Sequence, residues 1–227
     1  MDIVPDSSYH FNHLHRKISV EKIRGSAREA ALQYRAMGLS VLPIVRGDKC
    51  PIKGVSWIPL QYEPATEETI GAWYDQNPDA GVGIIAGRGL VVIDIDNGEE
   101  VPAELEQWRD TLQSTACSKT VKGYHYFLAG GPLRNSRQAW GDVRGAGGYV
   151  VAAPSYHPSG ARYQWLRGGP IQPMPDGLRQ ALMKKSKVVS LPEPATAPVR
   201  KTKAIKKEPS RAATSGNWLD KARDPAT

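Results

Sequence analysis

Hydrophobic and polar residues recur with two different periods along the chain, and the change of period predicts helices early and strands late. Apolar residues at helical spacing follow the capping-box pair Ser26 and Glu29 and stop at Gly38, which predicts a first helix. The same spacing predicts a helix that begins near Thr66 and a further helix over 102–113. Continuous or alternating apolar runs predict strands over 39–44, 90–95, 124–128, 142–144 and 149–153.

This order of elements predicts an α+β fold in which helices flank one mixed or antiparallel sheet. Helices alternate with strands in the first half of the chain, and strands cluster in the second half. A glycine-rich turn over 145–148 is predicted to join the last two strands. No internal repeat is visible in the sequence.

The chain has 227 residues, of which 40% are hydrophobic and 23% charged, an ordinary balance for a globular protein. The elements above define a predicted folded domain over 26–183. Residues 1–25 lack clear periodicity, and we expect them to form a flexible leader. Residues 184–227 are rich in Pro, Lys and Ala and hold few large apolar groups, so they bury too little surface to offset the entropy of ordering. We expect this segment to be a flexible basic tail or linker.

The formal net charge of +7 belongs to the predicted tail. Residues 184–211 hold nine Lys and Arg against two Glu, and the rest of the chain balances at 21 basic and 21 acidic residues. Such a segment attracts nucleic-acid phosphates independently of sequence. Composition alone therefore gives no sign of a basic surface on the predicted folded domain.

The two cysteines exclude a disulfide framework and a cysteine-rich zinc site, and they suit a reducing compartment. No apolar run approaches the roughly 20 residues that span a bilayer, and the N-terminus lacks the apolar core of a secretory signal. We therefore expect a soluble cytoplasmic protein that has no membrane partner.

Asp94 and Asp96 are the strongest chemical signal in the sequence. They end the apolar run over 90–95, where alternate side chains of a strand share one face, about 6.6 Å apart along the backbone. Two carboxylates at the end of a buried strand suit a divalent cation such as Mg²⁺ or Mn²⁺. The alternative, equally open from this pattern, is a pair of aspartates that face solvent before the Asn97-Gly98 turn.

Two further sequence features indicate a catalytic site only in combination with Asp94 and Asp96. His125 in an apolar strand is by itself more often a satisfied core residue, and Asp142 beside Arg144 is by itself more often a structural salt bridge. Together with Asp94 and Asp96, however, they supply three carboxylates for two divalent ions and two groups that can bind a triphosphate. This set of residues suits an in-line displacement at phosphorus assisted by two metal ions.

Short motifs along most of residues 27–176 resemble the N-terminal primase–polymerase (prim-pol) domain of plasmid and phage replication proteins, in the archaeo-eukaryotic primase superfamily. The resemblance implies an RRM-like catalytic sheet with flanking helices and template-dependent transfer of nucleotides from dNTPs or NTPs to a 3′-hydroxyl. It implies as partners a single-stranded DNA template and a replicative helicase, on a separate chain or in a downstream region. The motifs lie at 30–43, 49–57, 81–87, 92–96, 120–127 and 142–155.

The resemblance also assigns roles to individual residues. It implies a site for two Mg²⁺ or Mn²⁺ ions built from Asp94, Asp96 and Asp142, and a phosphate contact from His125. Three other residues match recurrent positions that we expect to bind nucleotide: Lys49, Arg144 and Ser155.

Two positions depart from the family pattern, and two other functions stay open. Gly123 stands where a serine often precedes the motif histidine by two residues, and Gly141 stands where an apolar residue often precedes the third aspartate. One alternative function is a catalytically silent, RRM-like nucleic-acid-binding module. The other is a metal-dependent sugar-nucleotide transferase, in which an apolar strand also ends in an Asp-x-Asp pair.

Overall fold

The computed structural model describes residues 17–19, 21, 23–87, 89–131 and 133–185. Most of the predicted leader and most of the predicted basic tail lie outside these residues. Within the predicted leader, a strand pairs Lys17 and Ile18 with Pro170 and Gly169. The fold is α+β, as the order of elements predicted, with helices beside sheets that are mostly antiparallel.

The helices begin where the sequence predicted caps. Ser26 accepts a hydrogen bond from the backbone of Glu29, and the Glu29 carboxylate accepts one from the backbone of Ser26, so the predicted capping box is confirmed. Thr66 caps the third helix in the same way, by accepting from the backbone of Thr69. The helix predicted over 102–113 is instead a 3₁₀ helix followed by an α-helix. The bounds are α1 (Ala27–Ala36), α2 (Trp57–Leu60), α3 (Glu67–Gln76), the 3₁₀ helix (Ala103–Trp108), α4 (Arg109–Ser114) and α5 (Asp176–Lys185).

The strands form one large sheet, one smaller sheet and a two-stranded ribbon. The strands are β1 (Lys17–Ile18), β2 (Val41–Ile44), β3 (Gly81–Ile85), β4 (Leu90–Ile95), β5 (Cys117–Lys119), β6 (Tyr124–Ala129), β7 (Ser136–Gln138), β8 (Gly141–Arg144), β9 (Tyr149–Ala152), β10 (Gln164–Arg167), β11 (Gly169–Pro170) and β12 (Gln172–Pro173). The large sheet has the order β10-β5-β6-β4-β8-β7, and β12 pairs with β6 in parallel. The smaller sheet has the antiparallel order β2-β3-β9, and β1 pairs with β11.

The prediction of one sheet is wrong, because the chain changes sheet between β8 and β9. Strand β8 pairs with β4, whereas β9 pairs with β3 of the smaller sheet. The glycine-rich turn makes this change of direction possible: Gly147 has a φ of 88°, and a Cβ on Gly145 would lie 2.1 Å from the carbonyl oxygen of Leu133. The turn therefore joins strands of two different sheets, where the sequence predicted strands of one sheet.

Strand β4 lies at the centre of the large sheet, and both of its faces pack against hydrophobic residues. Val91 and Ile93 on one face pack with residues of the 3₁₀ helix, α4 and α5. Leu90 and Val92 on the other face pack with residues of α1, α3, β3 and β9. Asp94 follows Val92 on that second face, so packing on both sides of the strand fixes the direction of its carboxylate.

None of the helices in the described ranges combines the length and the apolar character that a membrane span requires.

Candidate functional site

A row of polar side chains crosses the large sheet at the end of β4. Asp94 lies opposite Asp142 on β8 and opposite His125 on β6. The row continues through Ser118, opposite His125, and through Arg137, opposite Asp142. Residues directly opposite one another in antiparallel strands present their side chains on the same face. The register therefore gathers residues that are far apart in sequence into one site.

Asp94, Asp96 and Asp142, which we call the acidic trio, come close enough together to share a cation. Each contributes one carboxylate oxygen, and these oxygens all lie within 4.8 Å of one another. Three converging carboxylates repel one another in the absence of positive charge, and hard oxygen ligands are the donor set that Mg²⁺ and Mn²⁺ prefer. The residues present therefore fit a divalent metal site.

Asp94 has a buried carboxylate, and basic side chains lie close to it. Its Oδ1 lies 3.2 Å from His125 Nε2, and its Oδ2 lies 3.8 Å from Arg144 Nε. Burial opposes ionisation of this carboxyl, but His125, Arg144 and Lys49 outweigh that effect and hold its pKa below the usual range. Asp94 is therefore ionised at neutral pH and can act as a metal ligand.

Asp142 is held by two arginines. Its Oδ2 accepts hydrogen bonds from Arg144 at 2.7 Å and from Arg137 at 3.1 Å. The Arg144 side chain is 35% exposed and that of Arg137 is 74% exposed, so the first contact is better shielded from water. The salt bridge that the sequence suggested is present, and Arg144 also lines the cavity beside Asp94.

The larger of two cavities at the site has an aromatic wall. Trp57 and Tyr149 meet edge to face with ring centroids 5.2 Å apart. The Trp57 indole donates to the carbonyl of Gly147 at 3.0 Å, and the Tyr149 hydroxyl donates to the carbonyl of Lys49 at 3.0 Å. The cavity volume of about 240 Å³ lies just below the range for ligand pockets, roughly 300–1,000 Å³. Its lining includes Lys49, Trp57, Asp94, His125, Asn135, Arg144, Tyr149 and Tyr163.

A smaller cavity, with a volume of about 20 Å³, is also lined by Asp94. Both cavities include Tyr163, whose ring stacks on His125 at 5.9 Å and lies 6.0 Å from the ring of His157. The lining of the smaller cavity is Lys49, Asp94, Asp96, Thr120, Val121, Lys122, His125, His157 and Tyr163. The two cavities therefore share four residues: Lys49, Asp94, His125 and Tyr163.

Ser155 lines neither of the two cavities, and its contact with nucleotide stays a prediction. Its side chain is buried; the hydroxyl accepts from the backbone N–H of Val82 at 2.7 Å and donates to the Val82 carbonyl at 3.0 Å. Both bonds are to β3, so this hydroxyl links the segment after β9 to the smaller sheet. The other predicted site residues all border at least one cavity or belong to the acidic trio.

The two departures from the family pattern have a common structural cause. A Cβ on Gly123 would lie 1.9 Å from the carbonyl oxygen of Ile95, and a Cβ on Gly141 would lie 2.0 Å from that of Asp94. Both glycines therefore lie very close to the backbone at the end of β4. Gly141 is the first residue of β8, and Gly123 directly precedes β6. No side chain fits at position 123 without a backbone shift, so a serine is excluded there by contact.

Several residues of the site were not predicted. His157, Tyr163 and Asn135 line the cavities but lie outside the sequence motifs, and Tyr149 lies within the motif at 142–155 without a predicted role. The turn signal Pro158-Ser-Gly160 directly after His157 was available, because a polar residue beside such a turn is exposed to a cleft more often than one within a strand. The aromatic residues carried no comparable signal.

One family model matches most of the chain. Residues 31–177 match the family model Prim-Pol, described as the N-terminal region of bifunctional DNA primase/polymerase. This span includes β4, β6 and β8 with the whole polar row. No curated protein shows a significant match to the chain.

Proposed function

The chain belongs to the Prim-Pol family of bifunctional DNA primase/polymerase N-terminal domains, and from that premise we propose that it synthesises primers on a single-stranded DNA template and extends them. The observation that carries the proposal is the convergence of three carboxylate oxygens within 4.8 Å, beside the buried imidazole of His125. We further propose that the chain works in plasmid or phage replication, with an RRM-like catalytic sheet.

The acidic trio would hold two Mg²⁺ or Mn²⁺ ions. Such ions, when bound, lower the pKa of an attacking 3′-hydroxyl and neutralise charge on a departing pyrophosphate. The chain holds the three carboxylates near one another: Asp94 belongs to β4, Asp96 directly follows that strand and Asp142 belongs to β8. Asp94 is held in the ionised form by His125, Arg144 and Lys49 despite its burial.

His125, Arg144 and Lys49 would bind the phosphates of the incoming nucleotide through charge-assisted hydrogen bonds. His125 supports this role because its side chain borders both cavities beside Asp94. Lys49 supports it because this lysine borders both cavities. The aromatic wall of the larger cavity offers a surface on which a base can stack.

The remaining partners follow from the family and the charge distribution. A replicative helicase would act with the domain, on a separate chain or in a downstream region. The basic segment 184–211 would add sequence-independent attraction to DNA phosphates. The acidic trio weighs against a catalytically silent binding module, because converging carboxylates repel phosphate when no cation is bound.

The test is primer synthesis on single-stranded DNA with labelled dNTPs or NTPs and with Mg²⁺ or Mn²⁺. We expect metal-dependent products from the wild type and a loss of at least about a hundredfold in Asp94→Asn, the scale on which removal of one transition-state-stabilising group acts. The matched control is Asp110→Asn, which changes an exposed carboxylate on α4 and should retain full activity. Wild-type rates from a folded Asp94→Asn protein would contradict the proposal.

A further inference from the structure

We propose that the smaller cavity receives a phosphoryl oxygen from the outer phosphates of the incoming nucleotide, and that Lys122 and His157 at its edge form a subsite that binds those phosphates. This inference deepens the proposed function and rests on it. Neither residue belongs to the acidic trio or to the phosphate-binding set of His125, Arg144 and Lys49. The subsite therefore adds two residues to those that would recognise the triphosphate.

Two lysines at the smaller cavity carry positive charge that no ion pair in the described residues neutralises. Lys49 and Lys122 both line the smaller cavity, both are exposed, and neither has an ion-pair partner among the described residues. Lys122 belongs to a turn in which the Thr120 hydroxyl accepts from the backbone of Lys122 at 3.3 Å and of Gly123 at 2.9 Å. Two ammonium groups beside a hydroxyl form a donor set for an anion.

The hydrogen bonds of the His157 ring determine which of its nitrogens carries the proton. Its Nδ1 accepts a hydrogen bond from the backbone N–H of Ser159 at 3.1 Å, and the Ser159 hydroxyl lies 3.0 Å from the same nitrogen. A backbone N–H can only donate, so Nδ1 carries no proton and the neutral ring carries its proton on Nε2. Partial burial, followed by the charges of Lys49 and Lys122, lowers the pKa of His157 and favours this neutral form. His157 thus provides a directed N–H donor.

Backbone hydrogen bonds and contacts to an aromatic ring hold the segment that carries His157 in place without a ligand. Its backbone N–H donates to the carbonyl of Ala161 at 2.7 Å, and the Tyr163 backbone N–H donates to the Ser155 carbonyl at 3.0 Å. The ring of Tyr156 is contacted by the guanidinium groups of Arg46 at 4.8 Å and Arg162 at 4.6 Å. A donor on a braced segment binds its ligand with less loss of conformational entropy.

Size and charge decide which part of a nucleotide each cavity takes. A volume of about 20 Å³ is too small for a base but holds a group the size of a water molecule or a phosphoryl oxygen. The cavity of about 240 Å³ with its aromatic wall is the one that can take a base. Asp94 and Asp96 also line the smaller cavity, so the cations proposed for the acidic trio would neutralise these carboxylates beside a bound phosphate.

The test measures binding of a non-hydrolysable dATP analogue with a methylene bridge between the α and β phosphates, and of dAMP, by titration calorimetry in Mg²⁺. We expect Lys122→Ala and His157→Asn each to weaken the analogue about tenfold, the effect of one charge-assisted hydrogen bond. Binding of dAMP should change less than about twofold, because it lacks the outer phosphates. His157→Gln should recover most of the affinity, since its amide nitrogen reaches about the position of Nε2.

The matched control is Lys119→Ala, which removes the same charge from the end of β5, where this lysine lies 3.8 Å from the ring centroid of Tyr124. Equal losses in Lys119→Ala and Lys122→Ala would overturn the subsite, since the effect would then be general surface charge. So would wild-type affinity in both subsite variants, or equal losses for dAMP and the analogue. A wild type that does not bind the analogue overturns both proposals.

Failure of the two proposals can be told apart. A wild type that primes and extends DNA while both subsite variants bind the analogue normally overturns the subsite alone. A wild type that neither primes nor extends, while Lys122→Ala and His157→Asn selectively weaken the analogue, contradicts the proposed function and supports the subsite.

Discussion

His125 Nε2 lies 3.2 Å from Asp94 Oδ1, and both side chains are almost entirely buried, with 6% and 13% of their surface exposed. The pair therefore forms the buried floor of the site. His125 Nδ1 points to no partner in the described residues, nor does the hydroxyl of its cross-strand neighbour Ser118. Two buried polar atoms at the floor of the site, His125 Nδ1 and Ser118 Oγ, therefore make no hydrogen bond within the described residues.

Removal of the imidazole should weaken nucleotide use more than a substitution that keeps the N–H near Asp94. We expect His125→Ala to lower kcat/KM for dNTPs about tenfold to a hundredfold, the range for a hydrogen bond to a charged group. His125→Gln places an amide nitrogen near the position of Nε2 and should retain more activity. Steady-state primer extension checks this, and equal losses in the two variants would show that the contact with Asp94 is irrelevant.

The two arginines that contact Asp142 should differ in importance. Arg144→Ala removes the shorter and better shielded contact, at 2.7 Å, together with a residue of the larger cavity. We expect it to reduce primer extension at least about tenfold, whereas Arg137→Ala should stay within about fivefold because exposed ion pairs contribute at most about 1 kcal/mol. Kinetics of both variants at matched metal concentrations decide this. A larger loss in Arg137→Ala would reverse the assignment.

The two glycines Gly123 and Gly177 should respond oppositely to an added methyl group. Gly123→Ala would drive a Cβ into the Ile95 carbonyl, and we expect a loss of about 1–3 kcal/mol in the free energy of unfolding. The matched Gly177→Ala change lies in α5, where the nearest atom to the new Cβ is 3.6 Å away, and should gain about 0.5–1 kcal/mol. Urea unfolding of both variants measures this, and equal stability would mean that the end of β4 can shift freely.

The two cysteines should differ in reactivity. Cys117 is buried in β5, and burial raises the pKa of its thiol to about 12, so at pH 8 almost none of it is in the reactive thiolate form. Cys50 is exposed. We expect a disulfide reagent at pH 8 to modify one thiol rapidly in the native chain and two in denaturant, as followed by absorbance. Rapid modification of both thiols in the native protein would contradict the buried position of β5.

The sequence was sufficient wherever a signal is local. The Ser26–Glu29 capping box and the alternation of Val91 and Ile93 with Asp94 depend on neighbours a few residues apart, and the structure confirms both. Sheet membership depends on pairing between distant segments, and no local pattern near Gly147 indicates that β8 and β9 separate. This is why the elements were predicted well and their arrangement in one sheet was wrong.

Within the site, the charged residues were easier to predict than the contacts that each side chain makes. The acidic trio, His125 and Arg144 stand out in sequence because polar groups interrupt apolar strands, and the structure brings them together. Ser155 follows a strand in the same way, yet its hydroxyl bonds to the backbone of β3. Only the folded geometry separates a hydroxyl that faces a ligand from one that satisfies a backbone group.

The central position of β4 also sets when the site can exist during synthesis. Asp94 emerges from the ribosome first, His125 on β6 second and Asp142 on β8 last, and each must pair with the same strand. Until β8 has been made, one edge of β4 has unpaired backbone groups, and the third carboxylate is missing. A nascent chain or a fragment that ends before β8 therefore has no acidic trio, and any activity of the chain reports that both neighbours of β4 have docked.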